Sequence, residues 1–66
     1  MKNKLRVQRA INELTQQQLA EKIGVSRQTI NAIESQKYVP STALALKLAN
    51  LFRCKVEEIF ELEEGD

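Results

Sequence analysis

The 66-residue sequence has no histidine, no tryptophan, one cysteine, one proline and two glycines. Each absence closes a route. With no histidine and a single thiol, neither a zinc site nor a disulfide can staple so small a chain. One apolar core must hold it, so a single domain over residues 1–66 is expected. A second copy of the chain is the remaining source of buried area, which favours a homodimer. The missing histidine also removes the commonest general base, and no glycine-rich phosphate loop is present. No enzyme, cofactor or metal is expected. Cys54, flanked by Phe52 and Val56, reads as a buried thiol, because the chain has no histidine to serve as the base a nucleophilic thiol needs.

No apolar run approaches the roughly 20 residues of a membrane span. The opening MKNKLRVQR has no apolar stretch behind its charges like that of a secretory signal. A cytoplasmic location without a membrane partner is the expectation. The net charge of +1 hides a division. Residues 1–55 hold all ten Lys and Arg against Glu13, Glu21 and Glu34, whereas residues 56–66 hold Glu57, Glu58, Glu61, Glu63, Glu64 and Asp66 and no base. A basic body suits a polyanion, and an acidic tail must then lie away from that surface or stand simply as a solvated end.

Leu5, Val7, Ala10, Ile11 and Leu14 give a loose 3.6-residue rhythm that predicts a first helix over about Lys4 to Asn12, its charged side carrying Lys4, Arg6 and Arg9. Thr15 reads as an N-cap with Gln18 completing a capping box, so a second helix runs from Gln16 to Ile23 and stops at Gly24. Ser26 repeats the device for a third helix from Arg27 to about Ser35. The aperiodic SQKYVPS is an exposed loop, and Ser41 caps a fourth helix. There Ala45, Leu48, Ala49 and Phe52 form one stripe with Leu44 and Leu51 beside it. Lys55 to Leu62 reads as a fifth helix, and FELE reads alternatively as a brief strand against Met1 to Asn3.

Within this order, QQQLAEKIGVSRQTINAIE from Gln16 to Glu34 has the positional pattern of a helix-turn-helix. Ala20 is small where the two helices touch and Gly24 makes the bend. Leu19, Ile23, Val25, Ile30 and Ile33 point inward. With Ile30 and Ile33 committed to the core, Arg27, Gln28 and Asn31 face outward, with Thr29 and Ala32 at the margins. Planar, forked side chains of this kind suit base edges in a major groove: Arg for guanine, Gln or Asn for adenine. Gln16 starts the second helix, where free amides form an anion site for phosphate. Gln17 is near that end, and Lys37 and Tyr38 lie in the loop after the third helix, placed for further phosphates.

The chain resembles the Cro and lambdoid-repressor family of helix-turn-helix proteins over about residues 4 to 60. The resemblance rests on Arg9, TQQQLAEKIGVSRQTINAIE at 15–34, Lys37, Pro40, KLA at 47–49 and VEEIF at 56–60. It implies an all-α, five-helix lambda-repressor-like domain that binds operator DNA as a symmetric dimer. It further implies that Gln16 contacts phosphate, that Arg27, Gln28 and Asn31 read bases, and that Arg9 and Glu34 form an ion pair. Gln36 departs from the Gly or Asn usual at a left-handed turn, and Thr42 from a usual Leu.

A transcriptional regulator acting as a repressor is the leading expectation, with a palindromic double-stranded DNA operator and no small-molecule effector. Leu44, Leu51 and Leu62 exceed what one small core can hide and are assigned to the dimer interface. The alternative is a protein-interaction module, such as an antitoxin-like partner, using the same leucines.

Overall fold

Three of the five helices begin at a hydroxyl side chain that accepts an otherwise orphaned backbone N–H. In the computed structural model, which describes residues 1–66, Thr15 Oγ1 accepts from the Gln18 N–H at 3.0 Å, and Gln18 Oε1 accepts from the Thr15 N–H at 2.9 Å. Ser26 Oγ accepts from Thr29 at 3.2 Å and Ser41 Oγ from Leu44 at 3.1 Å. Each such cap contributes about 1 kcal/mol. Together they set where α2 (Gln16–Ile23), α3 (Arg27–Glu34) and α4 (Thr42–Phe52) start.

Two helices are shorter than the sequence rhythm predicts. The first, α1, spans Leu5–Ile11, and of its apolar residues only Leu5 is buried. Val7 and Ile11 are 52% and 67% exposed, because the inward side of this two-turn helix is given to Leu5, Gln8 and Arg9. The fifth, α5, covers only Val56–Ile59, against the expected Lys55 to Leu62. At Phe60 the backbone turns extended (φ −113°, ψ 139°). Phe60–Glu61 then forms β2, antiparallel to β1 (Lys2–Asn3) with Lys2 opposite Glu61 and Asn3 opposite Phe60. The strand reading of FELE is the one the fold adopts, although it extends only to Glu61. The architecture is thus five helices with a two-stranded sheet that joins the two ends of the chain.

The core is drawn from every element except β1. Leu5, Leu19, Ile30, Ile33, Leu48 and Ile59 are fully buried, with Ala20, Leu44, Ala49, Phe52 and Phe60 around them. Burying side chains of this size stabilises by about 1.5–3 kcal/mol each. Leu44 is a correction to the sequence reading: at 8% exposure it belongs to this chain's own core and is not free for a partner. It lies in the first turn of α4. Leu51 is half-buried against the core, and Leu62 is 76% exposed. Cys54 is half-buried, and burial, with Glu58 adding, pushes its thiol above the ordinary value. That leaves less thiolate for nucleophilic chemistry.

No helix is long and apolar enough to cross a membrane.

Candidate nucleic-acid interface

Gly24 makes the angle on which the site depends. It ends α2 with φ 83° and ψ 34°, a left-handed conformation natural to glycine, and its N–H closes on the Ala20 carbonyl at 2.8 Å. The Val25 N–H reaches the same carbonyl at 3.0 Å. Three residues after the turn, Ser26 having capped it, α3 sets off with Ile30 and Ile33 fully buried. Those two anchors fix its rotation. Arg27, Gln28 and Asn31 are left on the exposed side, with Thr29 half-buried at the margin.

Beneath Asn31 lies a network that ties three helices. Arg9 of α1 forks onto Glu34 at the end of α3, Nε donating to Oε2 at 2.8 Å and Nη2 to Oε1 at 3.2 Å. Its Nη1 donates to the Leu14 carbonyl at 2.9 Å, in the segment leading into α2. The hydrogen bond to Glu34 outweighs the opposing effect of burial and raises the guanidinium pKa above its ordinary value. Gln16, at the first position of α2, donates through Nε2 to Glu34 Oε1 at 3.2 Å and to Asn31 Oδ1 at 3.3 Å. A residue expected at phosphate and a residue expected at a base are therefore in direct contact.

The other expected site residues are more loosely placed. Gln17 donates along its own helix to Glu21 at 3.0 Å, so its amide is engaged away from the Gln16 cluster. Lys37 and Tyr38 are exposed in the loop after α3, the Lys37 N–H returning to the Ala32 carbonyl at 2.9 Å. Gln36 adopts the left-handed turn at φ 62° without being Gly or Asn. Thr42 is the exposed first residue of α4.

Two residues escaped the sequence reading. Arg6 lines a cavity of about 150 Å³ together with Gln16, Asn31, Glu34 and Ser35, which puts a cation beside the start of α2. Its place on the charged side of α1 was visible, but its approach to α2 depends on tertiary packing. Asn3 donates through Nδ2 to the Ile33 carbonyl at 2.8 Å and accepts from the Leu5 N–H through Oδ1 at 3.2 Å. It therefore fastens β1 to α3, which no local pattern announces. A second cavity, of about 160 Å³ between β1 and α5, is lined by opposed lysines and glutamates and takes no part in this constellation.

A small residue at the helix crossing, a left-handed glycine at the bend and a buried pair anchoring the second helix define a helix-turn-helix domain. Residues 5–59 match the family described as Helix-turn-helix, and the chain belongs to that family. It is similar to an uncharacterized HTH-type transcriptional regulator of Methanocaldococcus jannaschii, 56% identical over the whole of both chains. The HTH-type transcriptional regulator YgzD of Bacillus subtilis is 50% identical over 97% of each chain. A further HTH-type transcriptional regulator, from Archaeoglobus fulgidus, is 42% identical over 100% of this chain and 93% of its own.

Proposed function

We propose that the chain is a sequence-specific DNA-binding transcriptional repressor that acts in the cytoplasm. In this reading α3 enters the major groove, Arg27, Gln28 and Asn31 meet base edges, and Gln16, Gln17, Lys37, Tyr38 and Arg6 hold phosphates. The observation that carries it is the outward side of α3. Three side chains with directed hydrogen-bonding groups stand there on a helix whose rotation is fixed by Ile30 and Ile33. The names of the relatives as HTH-type transcriptional regulators support the same reading.

Repression follows from size and shape, since a domain seated in the major groove at a promoter excludes polymerase by occupancy alone. The working form is a homodimer on a palindromic operator, with half-sites about one helical turn, roughly 34 Å, apart. Leu62, largely exposed, and the free part of Leu51 supply its apolar contact. No small-molecule effector or cofactor enters this scheme. Selection of bound duplexes from a random pool tests it: an enriched inverted repeat is expected, and recovery of no common sequence refutes sequence-specific binding.

A further inference from the structure

Three charged side chains gather where α1, α2 and the end of α3 meet, and their charges do not cancel. Glu34 lines the cavity of about 150 Å³ with Arg6, Gln16, Asn31 and Ser35, and it is the only acid there. Arg9 forks onto it, so each carboxylate oxygen accepts from the same guanidinium, at 2.8 and 3.2 Å. Arg6 is exposed and in no ion pair, since the pairs of the molecule are Arg9 with Glu34 and the Met1 ammonium with Glu63 and Asp66. Two cations against one anion leave the cavity with a single positive charge, carried by Arg6. Without Arg9 that charge would be matched by a bare carboxylate in the same cavity.

We propose that this cavity receives one DNA backbone phosphate on Arg6, and that Arg9 is a positioning residue whose charge masks Glu34 so that the phosphate can enter. This rests on the reading of α3 as the base-contacting helix, because Asn31 lines the same cavity. A guanidinium matches phosphate in charge and in its forked geometry. A carboxylate beside that phosphate repels it, and near a protein surface the repulsion is about fourfold stronger than in bulk water. The ion pair therefore has a second task besides tying α1 to α3. It withdraws Glu34 from the electrostatics of the DNA-facing side and leaves Arg6 free.

The test is titration of duplex DNA at several salt concentrations with the full chain and its R6Q, E34Q, R9M and R9M/E34Q variants, the fold of each verified by circular dichroism. The slope of log affinity against log salt counts the phosphates that cations neutralise. R6Q should flatten it by about one ion, so that raising salt from about 50 to about 200 mM costs this variant about threefold less affinity than the unaltered chain. E34Q keeps an oxygen for Arg9 but loses the charge. It should steepen the slope by about one ion and bind DNA more tightly at low salt, even though it loosens the fold. R9M should flatten the slope as R6Q does, and R9M/E34Q should restore it. A pair that only braces the helices predicts that E34Q and R9M both weaken binding with the slope unmoved. An unchanged or flatter slope in E34Q overturns the masking, and this variant decides the matter alone if R9M does not fold. An R6Q slope equal to that of the unaltered chain removes the phosphate from the cavity. Failure of the unaltered chain to bind duplex DNA even at low salt instead removes the reading of α3 on which the proposal rests.

Discussion

Arg9 and Glu34, 25 residues apart, meet through two hydrogen bonds of 2.8 and 3.2 Å in a pocket that leaves the glutamate side chain 7% exposed and the arginine 16%. A pair so enclosed behaves differently from a surface ion pair. Removing one partner leaves the other desolvated and unmatched, at a cost of about 3 kcal/mol, whereas an exposed pair would cost under about 1 kcal/mol. Arg9→Ala should be the worse of the two, since it also releases the Leu14 carbonyl. Urea denaturation of both single variants and the double variant checks this. Additive losses, with no coupling energy, would show that the two charges act independently.

Reading and holding should separate by titration against operator and scrambled DNA at several salt concentrations. Arg27→Ala and Gln28→Ala each remove a proposed base contact, so discrimination at one operator position should fall by about 1–3 kcal/mol. Lys37→Ala should weaken binding to every sequence alike and lower the salt slope by about one ion. Equal loss of operator and scrambled affinity in both α3 variants would disqualify that helix as the reader.

Leu44 and Leu62 predict opposite phenotypes. Leu44→Ala empties part of the chain's own core and should destabilise the fold by about 2–5 kcal/mol. Leu62 is largely exposed, so Leu62→Asp should leave the fold intact while shifting the proposed dimer to monomer in sedimentation. A dimer that survives Leu62→Asp unchanged would place the interface elsewhere.

Backbone conformation gives a pair of predictions with opposite sign. A Cβ at Gly24 would meet nothing within 4 Å, so Gly24→Ala suffers only from φ +83°, at about 1–2 kcal/mol. Gln36 already bears that kind of strain at φ 62°. Gln36→Gly should therefore stabilise, by about 0.5 kcal/mol once the entropy of glycine in the unfolded chain is subtracted. Thermal melting of the two variants should move in opposite directions.

The chain ends respond to pH from both sides. The Met1 ammonium lies 3.3 Å from Glu63 Oε1 and from Asp66 Oδ2. Desolvation alone would lower its pKa, but the hydrogen bonds to Glu63 and Asp66 win and raise it above 8.0. Its contribution is complete below 8.0 and is lost as pH rises through the raised value. Asp66 is held below its ordinary value first by the Glu63 N–H, so its share is present above 3.8 and is lost as pH falls through the lowered value. Amide exchange at the Asp66-capped Glu63 N–H should quicken beyond its intrinsic pH dependence at both extremes. A loss of protection at neither extreme would show that the contact does not hold.

What could be read from the residues alone was what local chemistry dictates. Thr15, Ser26, Ser41 and Gly24 each act within three or four residues, and the helix boundaries they imply match the fold closely. Contacts between distant segments were harder. The run from Val56 has helical rhythm to its end, and only pairing with Lys2–Asn3 makes Phe60–Glu61 extended. Val7 and Ile11 fit an apolar stripe, yet Arg9 claims the inward side of α1 because Glu34 lies opposite. Leu44 was misplaced for a similar reason: sequence gives the width of the α4 stripe and not how much of it one chain can cover. At the candidate site the outward set on α3 followed from Ile30 and Ile33, whereas Arg6 and the contact of Gln16 with Asn31 came only with the packing of α1, α2 and α3.

The pairing of β1 with β2 also bears on the order in which the molecule assembles. Helices α2 and α3 meet across a short turn and can form early, because closing a small loop costs little entropy. Asn3 and Phe60 must find each other across almost the entire chain. That closure belongs late, after the helical nucleus exists, and substitutions in the strands should hasten unfolding while leaving the refolding rate nearly untouched. The clasp therefore works as a kinetic latch, setting how long a folded molecule persists more than how fast one forms.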